Sequence, residues 1–339
     1  MSRIAVMGGG AWGTAITLSL DRRGGHALSL WTHSPEVAAG IRASGENKTF
    51  LPGFPLSRHV VVTNNAEEAL ENAEIVVSVM PSHHVRASYE LFAPYLRFEQ
   101  LLVSATKGIE DGTFLRMSQV IAEVLDRHRL DLQCGVLSGP SFAQEVAAGS
   151  PTAVTIASID AGLAARVQRE FSSGTLRLYT NDDVIGVELG GALKNVIAIA
   201  AGIVAGLGLG HNSMAALITR GIAEVTRLAV ACGGKRETLA GLSGIGDLVL
   251  TCTGALSRNR WVGIELGKGR PLEEILADLH GKVAEGVRTT SAALGLAVKF
   301  GVEMPIAEQV QAILLGQRHP RQAIQELMNR PGRDEQDAS

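Results

Sequence analysis

The chain has 339 residues, of which 46% are hydrophobic and 19% charged, and its formal net charge is -3. This length predicts two domains, and the composition excludes long disordered segments. The near balance of 31 basic and 34 acidic residues argues against a nucleic-acid-binding protein. The three cysteines, Cys134, Cys232 and Cys252, form neither an even set nor a CxxC pair. They therefore argue against a disulfide framework or a metal site and favour a reducing cytoplasm.

No segment of the sequence indicates export or membrane insertion. The N-terminus leads straight into a short apolar run and then glycines, without the features of a signal peptide. The uncharged run 195–210 is shorter than the ~20 residues that a spanning helix needs. Its GxxxG pair, Gly202 and Gly206, is interpreted as the contact surface of a buried helix in a helical core. We therefore expect a cytoplasmic protein.

Short apolar runs alternate with amphipathic segments from residue 3 to about residue 180. The runs lack polar alternation, which is typical of strands buried on both faces of a parallel sheet. The predicted strands are Ile4–Met7, Leu28–Trp31, Val60–Val62, Ile75–Met80, Leu101–Ala105, Gly135–Leu137, Ala153–Ala157 and Leu176–Tyr179. The predicted helices between them are Thr14–Arg23, Pro35–Ala43, Phe114–His128 and Ala161–Phe171.

Strand signals stop after Asp183, and helical patterns follow. The predicted helices of this second part are Val184–Val204, Ala215–Ala231, Leu272–Leu279, Thr290–Lys299 and Ile306–Leu315. The sequence thus predicts an α/β protein with an N-terminal Rossmann-like doubly wound sheet (1–182) and an all-helical C-terminal domain (183–330). Residues 331–339 are predicted to form a flexible tail.

A dinucleotide-binding fingerprint follows the first predicted strand. Gly8, Gly10 and Gly13 satisfy G-x-G-x-x-G, with Ala11 and Trp12 in between. Such glycines permit a tight turn, close approach of the backbone to a pyrophosphate, and close packing of the next helix. The free N–H groups at the start of that helix favour an anion.

The end of the second strand indicates which nicotinamide cofactor is accepted. An acidic residue that bonds the ribose usually stands about 20 positions after the glycines. Here the place is taken by Thr32 and His33, which do not repel a 2′-phosphate. The cofactor is therefore predicted to be NADP or NAD, although His33 could also be a plain loop histidine.

Three charged residues stand in surroundings that suggest chemistry. Lys194 lies inside an apolar helical segment, where burial would lower its pKa and suit it to proton transfer. Lys107 follows the fifth strand, at the edge where open α/β sheets bind ligands. Asp247 lies among glycines and apolar residues, where it could also serve as a helix N-cap. The segment Ser257, Arg258, Asn259 and Arg260 offers donors that suit a phosphate.

These segments together resemble the bacterial type of NAD(P)-dependent glycerol-3-phosphate dehydrogenase over nearly the whole chain. The six motifs that carry the resemblance are Gly8–Gly13, Ala105–Gly108, Ser138–Ala143, Gly190–Asn195, Gly244–Leu248 and Ser257–Arg260. The chain departs from the family pattern at Ala11, where serine is common, and at Ala205, where aspartate is common.

The resemblance implies roles for individual residues. Lys194 would be the proton acceptor, with Asp247 and Lys107 as its catalytic partners. A phosphorylated small-molecule substrate would also contact Gly139, Ser141, Ser257, Arg258 and Asn259. The cofactor would contact Gly8, Gly10, Ala11, Trp12, Gly13, His33, Lys107, Ala143, Arg258, Val283 and Glu285. Ser141 with Gln144 also matches a helix capping box.

The implied reaction interconverts sn-glycerol 3-phosphate and dihydroxyacetone phosphate, with a role in supplying phospholipid precursors. The sequence does not determine the oligomeric state, and a homodimer is one possibility. Two alternatives to this function are a ketopantoate-type reductase, which also pairs a Rossmann domain with a helical one, and a catalytically inactive cofactor sensor. A sensor would need the cofactor site alone, so the presence of Lys194, Asp247 and Lys107 argues against it.

Overall fold

The computed structural model describes residues 1–279, 283–332 and 334–335. The chain forms two compact units: the sheet unit, Met1–Thr106 with Met117–Val184, and the helical unit, Lys107–Arg116 with Ile185–Ser339. The last junction between the units, after Val184, lies close to the boundary proposed at residue 182. No pattern in the sequence predicts that Lys107–Arg116 joins the helical unit. Much of the predicted tail, 331–339, lies outside the described residues.

The sheet unit is built on one eight-stranded sheet, and every predicted strand is confirmed. The strands are β1 Ser2–Met7, β2 His26–Trp31, β3 Val61–Thr63, β4 Ile75–Ser78, β5 Leu101–Ser104, β6 Cys134–Ser138, β7 Thr152–Ala157 and β8 Leu176–Asn181. Their order is β3-β2-β1-β4-β5-β6-β7-β8, and β1 to β6 are parallel. The first six strands have the order typical of dinucleotide-binding domains: β2 and β3 are added on one side of β1, and β4 to β6 on the other.

The two outer strands depart from the expected parallel sheet. β7 pairs with β6 in the antiparallel direction, and β8 is parallel to β7. Only residues 139–151 connect β6 to β7, and they contain one short helix, Ala143–Ala148. A parallel crossover needs about a dozen residues or more and usually a full helix. The 13 residues here only reach this minimum length, and their six-residue helix is shorter than the usual crossover helix, which favours the antiparallel return of β7.

Seven α-helices of the sheet unit connect these strands. They are α1 Ala11–Arg23, α2 Pro35–Ser44, α3 Ala66–Leu70, α4 Val85–Phe92, α5 Met117–Arg127, α6 Ala143–Ala148 and α7 Ala161–Phe171. Short 3-10 turns at Ser82–His84 and Ala93–Tyr95 flank α4. The Ser34 hydroxyl caps α2 by accepting from the Val37 N–H at 3.1 Å. The helices α3, α4 and α6 are not predicted from the sequence, because each is only five to eight residues long.

The helical unit contains the remaining α-helices of the described chain and a core of its own. These are α8 Val184–Gly206, α9 His211–Ala231, α10 Arg236–Leu239, α11 Asp247–Thr253, α12 Arg258–Gly267, α13 Leu272–Ala277, α14 Glu285–Phe300, α15 Pro305–Leu314 and α16 Pro320–Met328. A π-helical turn, Leu242–Gly246, leads into α11. The all-helical second domain is confirmed, and α8 runs through its centre with nineteen buried residues.

The predicted helix Phe114–His128 begins only at Met117. The preceding segment turns back on itself through a bridge between Ile109 and Arg116, and Phe114 has a positive φ of 59°. Ile109 is 2% exposed within the core of the helical unit. Gly295 of α14 leaves room for the Phe114 ring, since a Cβ there would lie 2.3 Å from the ring carbon Cε1. Burial of these two side chains explains why the segment packs with the helical unit.

One described helix, α8, is long and apolar enough to span a membrane, and a bent pair formed by Arg236–Thr253 and Arg258–Gly267 also passes by composition. However, 89% of the most apolar window of α8 is buried inside the protein. This burial is typical of a core helix.

Glycines allow α8 and α12 to approach closely, as the GxxxG pair predicts. A Cβ on Gly202 would lie 2.0 Å from the Arg260 carbonyl oxygen, and one on Gly206 would lie 2.3 Å from the Ile264 carbonyl oxygen. On the opposite helix, a Cβ on Gly263 would lie 2.0 Å from the Ile199 carbonyl oxygen. The two backbones are therefore in direct contact along this seam.

We expect Gly202→Ala to destabilise the protein by about 1–3 kcal/mol, because the added methyl group must push α12 off α8. The matched control is Gly40→Ala in α2, where no described atom lies within 4 Å of the added Cβ. Removing that helical glycine should instead stabilise by about 0.4–1 kcal/mol. Urea denaturation of both variants measures the two effects, and equal stability of Gly202→Ala and the parent would contradict the close packing.

Candidate active site

Three of the predicted site residues meet in the helical unit around one carboxylate. Asp247 is fully buried at the first turn of α11, and it accepts from Lys107 Nζ at 2.7 Å. Its other oxygen, Oδ1, forms a short ion pair with Lys194 Nζ. Lys194, in the middle of α8, also donates to Thr251 Oγ1 at 2.8 Å. The alternative of a surface-exposed Lys194 is excluded, because this residue is only 7% exposed.

Asp247 does not act as the helix N-cap. The cap position is taken by Gly246, and the π-helical turn Leu242–Gly246 leads directly into α11. A Cβ on Gly244 within that turn would lie 2.0 Å from the Leu239 carbonyl oxygen. The glycines therefore permit a tight turn immediately before Asp247. Because its side chain does not cap the helix, the carboxylate can pair with both lysines.

Burial lowers the pKa of Lys194 to about 7. The charge of Asp247 opposes this effect, and the charge of Lys107 adds to it. A lysine with such a pKa exchanges its proton near neutral pH, as a general acid or base requires.

The segment that suits a phosphate forms the start of α12. Ser257 is the N-cap, and its hydroxyl accepts from the Arg260 N–H at 3.2 Å. Arg258 is the first residue of the helix, and the negative charge of Glu285 acts favourably on its guanidinium. Asn259 is buried, donates to Asn195 Oδ1 at 2.9 Å and accepts from the Gly286 N–H at 2.9 Å. Asn259 thus ties the start of α12 to the residue next to Lys194.

The glycine-rich turn in the sheet unit has the shape that a pyrophosphate needs. A Cβ on Gly8 would lie 1.8 Å from the Val79 carbonyl oxygen, and one on Gly13 would lie 1.9 Å from the Gly8 carbonyl oxygen. By contrast, no described atom lies within 4 Å of a Cβ placed on Gly10. The first N–H groups of α1, from Ala11 on, have no acceptor within the helix. The buried Trp12 Nε1 also has no partner among the described residues. Close packing on one side and open space on the other fit a dinucleotide.

The remaining predicted contacts of the sheet unit lie near strand ends. His33 is exposed just after β2, and its ring lies edge-on 6.0 Å from Trp31. Gly139 follows β6 with a φ of +139°. The Ser141 hydroxyl donates to the Gly139 carbonyl at 2.9 Å. The expected capping box is not formed, because α6 begins at Ala143 and its N-cap, Phe142, has no side-chain acceptor.

Two further predicted cofactor contacts lie in the helical unit. Val283 precedes α14 and is half-buried, and Glu285 is the first residue of that helix. The structure thus divides the predicted residues between its two units. It brings Lys107, Lys194 and Asp247 together in the helical unit, and gathers Gly8, Gly10, Ala11, Trp12 and Gly13 in one turn of the sheet unit.

Comparison with known proteins decides the family. A model described as NAD-dependent glycerol-3-phosphate dehydrogenase N-terminus matches residues 3–164, and the corresponding C-terminus model matches residues 183–325. The chain belongs to this family. Membership favours the dehydrogenase over the ketopantoate-type reductase and the inactive sensor.

Individual relatives match this chain over nearly its whole length. A glycerol-3-phosphate dehydrogenase [NAD(P)+] from Acidobacterium capsulatum is 71% identical over 99% of this chain and 100% of the relative. One of the same name from Koribacter versatilis is 60% identical, over 99% of each chain. The crystal structure of glycerol-3-phosphate dehydrogenase from Coxiella burnetii superposes with a TM-score of 0.92 at 39% identity, covering 97% of this chain and 99% of that one.

Two polar residues next to the charged cluster are absent from the predicted site. Thr251 lies one helical turn after Asp247, donates to the Asp247 carbonyl at 2.6 Å and accepts from Lys194. Asn195 follows Lys194 and accepts from Asn259. The i, i+4 spacing of Asp247 and Thr251 is the signal that could have found the first of them.

Proposed function

We propose that this dehydrogenase interconverts sn-glycerol 3-phosphate and dihydroxyacetone phosphate by hydride transfer with NAD or NADP. The observation that carries the proposal is the buried Lys194–Asp247–Lys107 cluster. The bound nicotinamide supplies the hydride acceptor in one direction and the hydride donor in the other. The chain itself must move the proton of the C2 oxygen and hold the phosphate.

Lys194 is proposed as the group that exchanges this proton. Its ammonium has three N–H groups, of which two are used by Asp247 and Thr251. The third is left for the C2 oxygen of the substrate. In oxidation, neutral Lys194 accepts the hydroxyl proton while the C2 hydrogen leaves as hydride. In reduction, the ammonium returns that proton.

Asp247 and Lys107 are proposed to tune this exchange. Asp247 keeps the Lys194 amine oriented through a charge-assisted bond and balances its positive charge. Lys107, paired with the other oxygen of Asp247, would polarise the same substrate oxygen. A second positive charge also favours the neutral form of Lys194, which accepts the proton.

The start of α12 is proposed as the phosphate site. Arg258 offers a guanidinium that can bind two phosphate oxygens, and the helix N-terminus adds free N–H groups. Ser257 and Asn259 are the neighbouring predicted contacts, and Asn259 holds this helix end beside Asn195. From the sheet unit, Gly139 and Ser141 are the remaining predicted contacts of the substrate.

The cofactor is proposed to lie on the glycine-rich turn, with its pyrophosphate at the Gly10 and Ala11 amides. Further predicted contacts in the sheet unit are Trp12, His33 and Ala143; those in the helical unit are Lys107, Arg258, Val283 and Glu285. We also propose a cytoplasmic protein without membrane insertion or nucleic-acid binding. The three free thiols, Cys134, Cys232 and Cys252, are consistent with that compartment. A homodimer and a role in phospholipid precursor supply remain predictions.

The reaction is tested by following nicotinamide absorbance with dihydroxyacetone phosphate and NADPH or NADH. The same assay with dihydroxyacetone tests the phosphate site, and we expect that compound to be a very poor substrate. No oxidation of either cofactor with dihydroxyacetone phosphate would contradict the proposed function.

His33→Asp should shift cofactor preference toward NADH, whereas the parent should accept NADPH at least as well as NADH. A carboxylate at this position can accept from both ribose hydroxyls but repels a 2′-phosphate. Such a contact costs on the order of 1–3 kcal/mol, so the NADPH/NADH ratio of kcat/KM should fall roughly tenfold or more. The shift should grow at low salt, where exposed charges are less screened.

The matched control for this substitution is His59→Asp, which adds the same charge at another exposed histidine of the sheet unit. Its ratio should equal that of the parent. An unchanged ratio in His33→Asp would mean that His33 does not face the 2′ position of the cofactor.

A further inference from the structure

Asn47 is fully buried in the loop between α2 and β3 and reaches the glycine-rich turn. Its Nδ2 group donates to the Gly9 carbonyl and to Thr14 Oγ1, each at 2.8 Å. Its Oδ1 atom accepts from the Phe50 N–H at 3.1 Å. All these contacts lie within the sheet unit. The side chain therefore joins its own loop to both the turn and the first helix.

The bond to Gly9 fixes the direction of a neighbouring N–H group. In a planar trans peptide the carbonyl of Gly9 and the N–H of Gly10 point in opposite directions. Because Asn47 holds the carbonyl, the Gly10 N–H faces away from Asn47. Gly9 is also confined on another side, since a Cβ there would lie 2.6 Å from the Thr32 Cβ. This peptide therefore has little freedom to rotate.

The bond to Thr14 acts on the helix that follows. Thr14 is fully buried in α1, and its N–H donates to the Gly10 carbonyl at 3.0 Å. Asn47 thus holds the chain on both sides of Gly10, Ala11 and Trp12. These are the residues whose backbone is open to a ligand.

The loop that carries Asn47 is itself braced. Glu46 and Pro55 form a bridge, and the Leu56 N–H donates to the Gly45 carbonyl at 2.8 Å. The Leu51 N–H donates to the Asn47 carbonyl at 2.9 Å. A braced loop places the Asn47 amide at a fixed position, which a positioning residue requires.

We propose that Asn47 is a positioning residue that aims the Gly10 N–H and the start of α1 at the cofactor pyrophosphate. This inference rests on the proposed cofactor site. It assigns to Asn47 no contact with the cofactor and no part in proton or hydride transfer. Its loss should weaken binding of ligands that carry the pyrophosphate and spare ligands that lack it.

The test compares Asn47→Ala and Asn47→Asp with the parent in calorimetric binding of NADH and ADP-ribose. Binding of adenosine, which has no pyrophosphate, is followed by ligand-observed NMR. We expect about tenfold or greater weakening for NADH and ADP-ribose in both variants, and less than about twofold change for adenosine. Asn47→Asp preserves side-chain volume while replacing the donor by a second acceptor, so it remains informative if Asn47→Ala folds poorly.

Asn64→Ala is the matched control, because Asn64 is an exposed asparagine of the same unit. It should bind all three ligands like the parent. At saturating cofactor, kcat of the Asn47 variants should stay within about threefold of the parent, because the charged cluster is untouched.

Unchanged NADH and ADP-ribose affinity in folded Asn47 variants would overturn the inference and leave the proposed function standing. Equal weakening of all three ligands would also overturn it, because Asn47 would then support the fold of the unit in general. If the parent itself binds neither NADH nor ADP-ribose, the proposed cofactor site and this inference both fail.

Discussion

Lys194→Met should reduce turnover by about 10²–10⁴-fold while leaving cofactor binding nearly intact, because general acid–base catalysis contributes about that factor. Methionine has a similar length and suits the buried surroundings of α8. Asp247 would retain Lys107 as its cationic partner, so the variant should fold. Steady-state kinetics in both directions measure the loss, and calorimetry with NADPH measures cofactor binding.

The matched control is Lys299→Met, which removes an exposed lysine at the end of α14. Its turnover should equal that of the parent. A loss below about tenfold in Lys194→Met would remove Lys194 from the proton-transfer role.

The pH profile of the parent gives a second measure of the same group. With the pKa of Lys194 at about 7, kcat/KM for glycerol 3-phosphate oxidation should rise as pH passes through about 7. Oxidation needs the neutral amine, which predominates above that pKa. Reduction needs the ammonium, so its kcat/KM should fall over the same range. Ionisation of the substrate phosphate cannot produce these opposite slopes, because both substrates carry the same group.

Arg258→Ala should raise the KM for dihydroxyacetone phosphate roughly ten- to hundredfold with a smaller effect on kcat. A charge-assisted hydrogen bond to a phosphate is worth about 1.5–3 kcal/mol. Arg258→Lys should fall between the parent and the alanine variant, because an ammonium keeps the charge but cannot bind two oxygens in one plane.

Arg236→Ala, which removes an exposed arginine of α10, provides the control and should leave KM unchanged. At saturating cofactor, the weak activity on dihydroxyacetone should be the same in Arg258→Ala and the parent, because that compound has no phosphate for Arg258 to bind. If the parent uses the phosphorylated and unphosphorylated compounds equally well, the phosphate site is refuted.

The strands could be predicted because each is a short apolar run. A strand in a sheet that is covered on both faces needs apolar side chains on both sides. The direction of β7 was not, because it depends on the length of the connection through α6. Helices α10, α11 and α12 escaped prediction for another reason. Residues of α11 and α12 meet partners that are distant in sequence, as Gly263 meets Ile199 and Asp247 meets Lys107 and Lys194.

The charged part of the site could be predicted, since Lys194 and Asp247 are expensive to bury without each other. Thr251 carries no such signal, because a threonine in a helix is ordinary until its lysine partner is known. Asn47 is similar: an asparagine two residues after the glycine that ends a helix usually indicates a turn. Only the three-dimensional contact with Gly9 distinguishes it.

Lys107–Arg116 belongs to the helical unit although residues of the sheet unit precede and follow it, so the two units cannot be exchanged between proteins as simple sequence segments. The chain passes between its two units after Thr106, after Arg116 and after Val184, so no single cut separates them. A fragment 185–339 would lack Lys107, and Asp247 would keep only one cation. A fragment 1–184 would expose Ile109, which is 2% exposed in the intact chain. A chimera that combines this helical unit with the nucleotide-binding unit of another protein must therefore keep the ten residues Lys107–Arg116 of this chain.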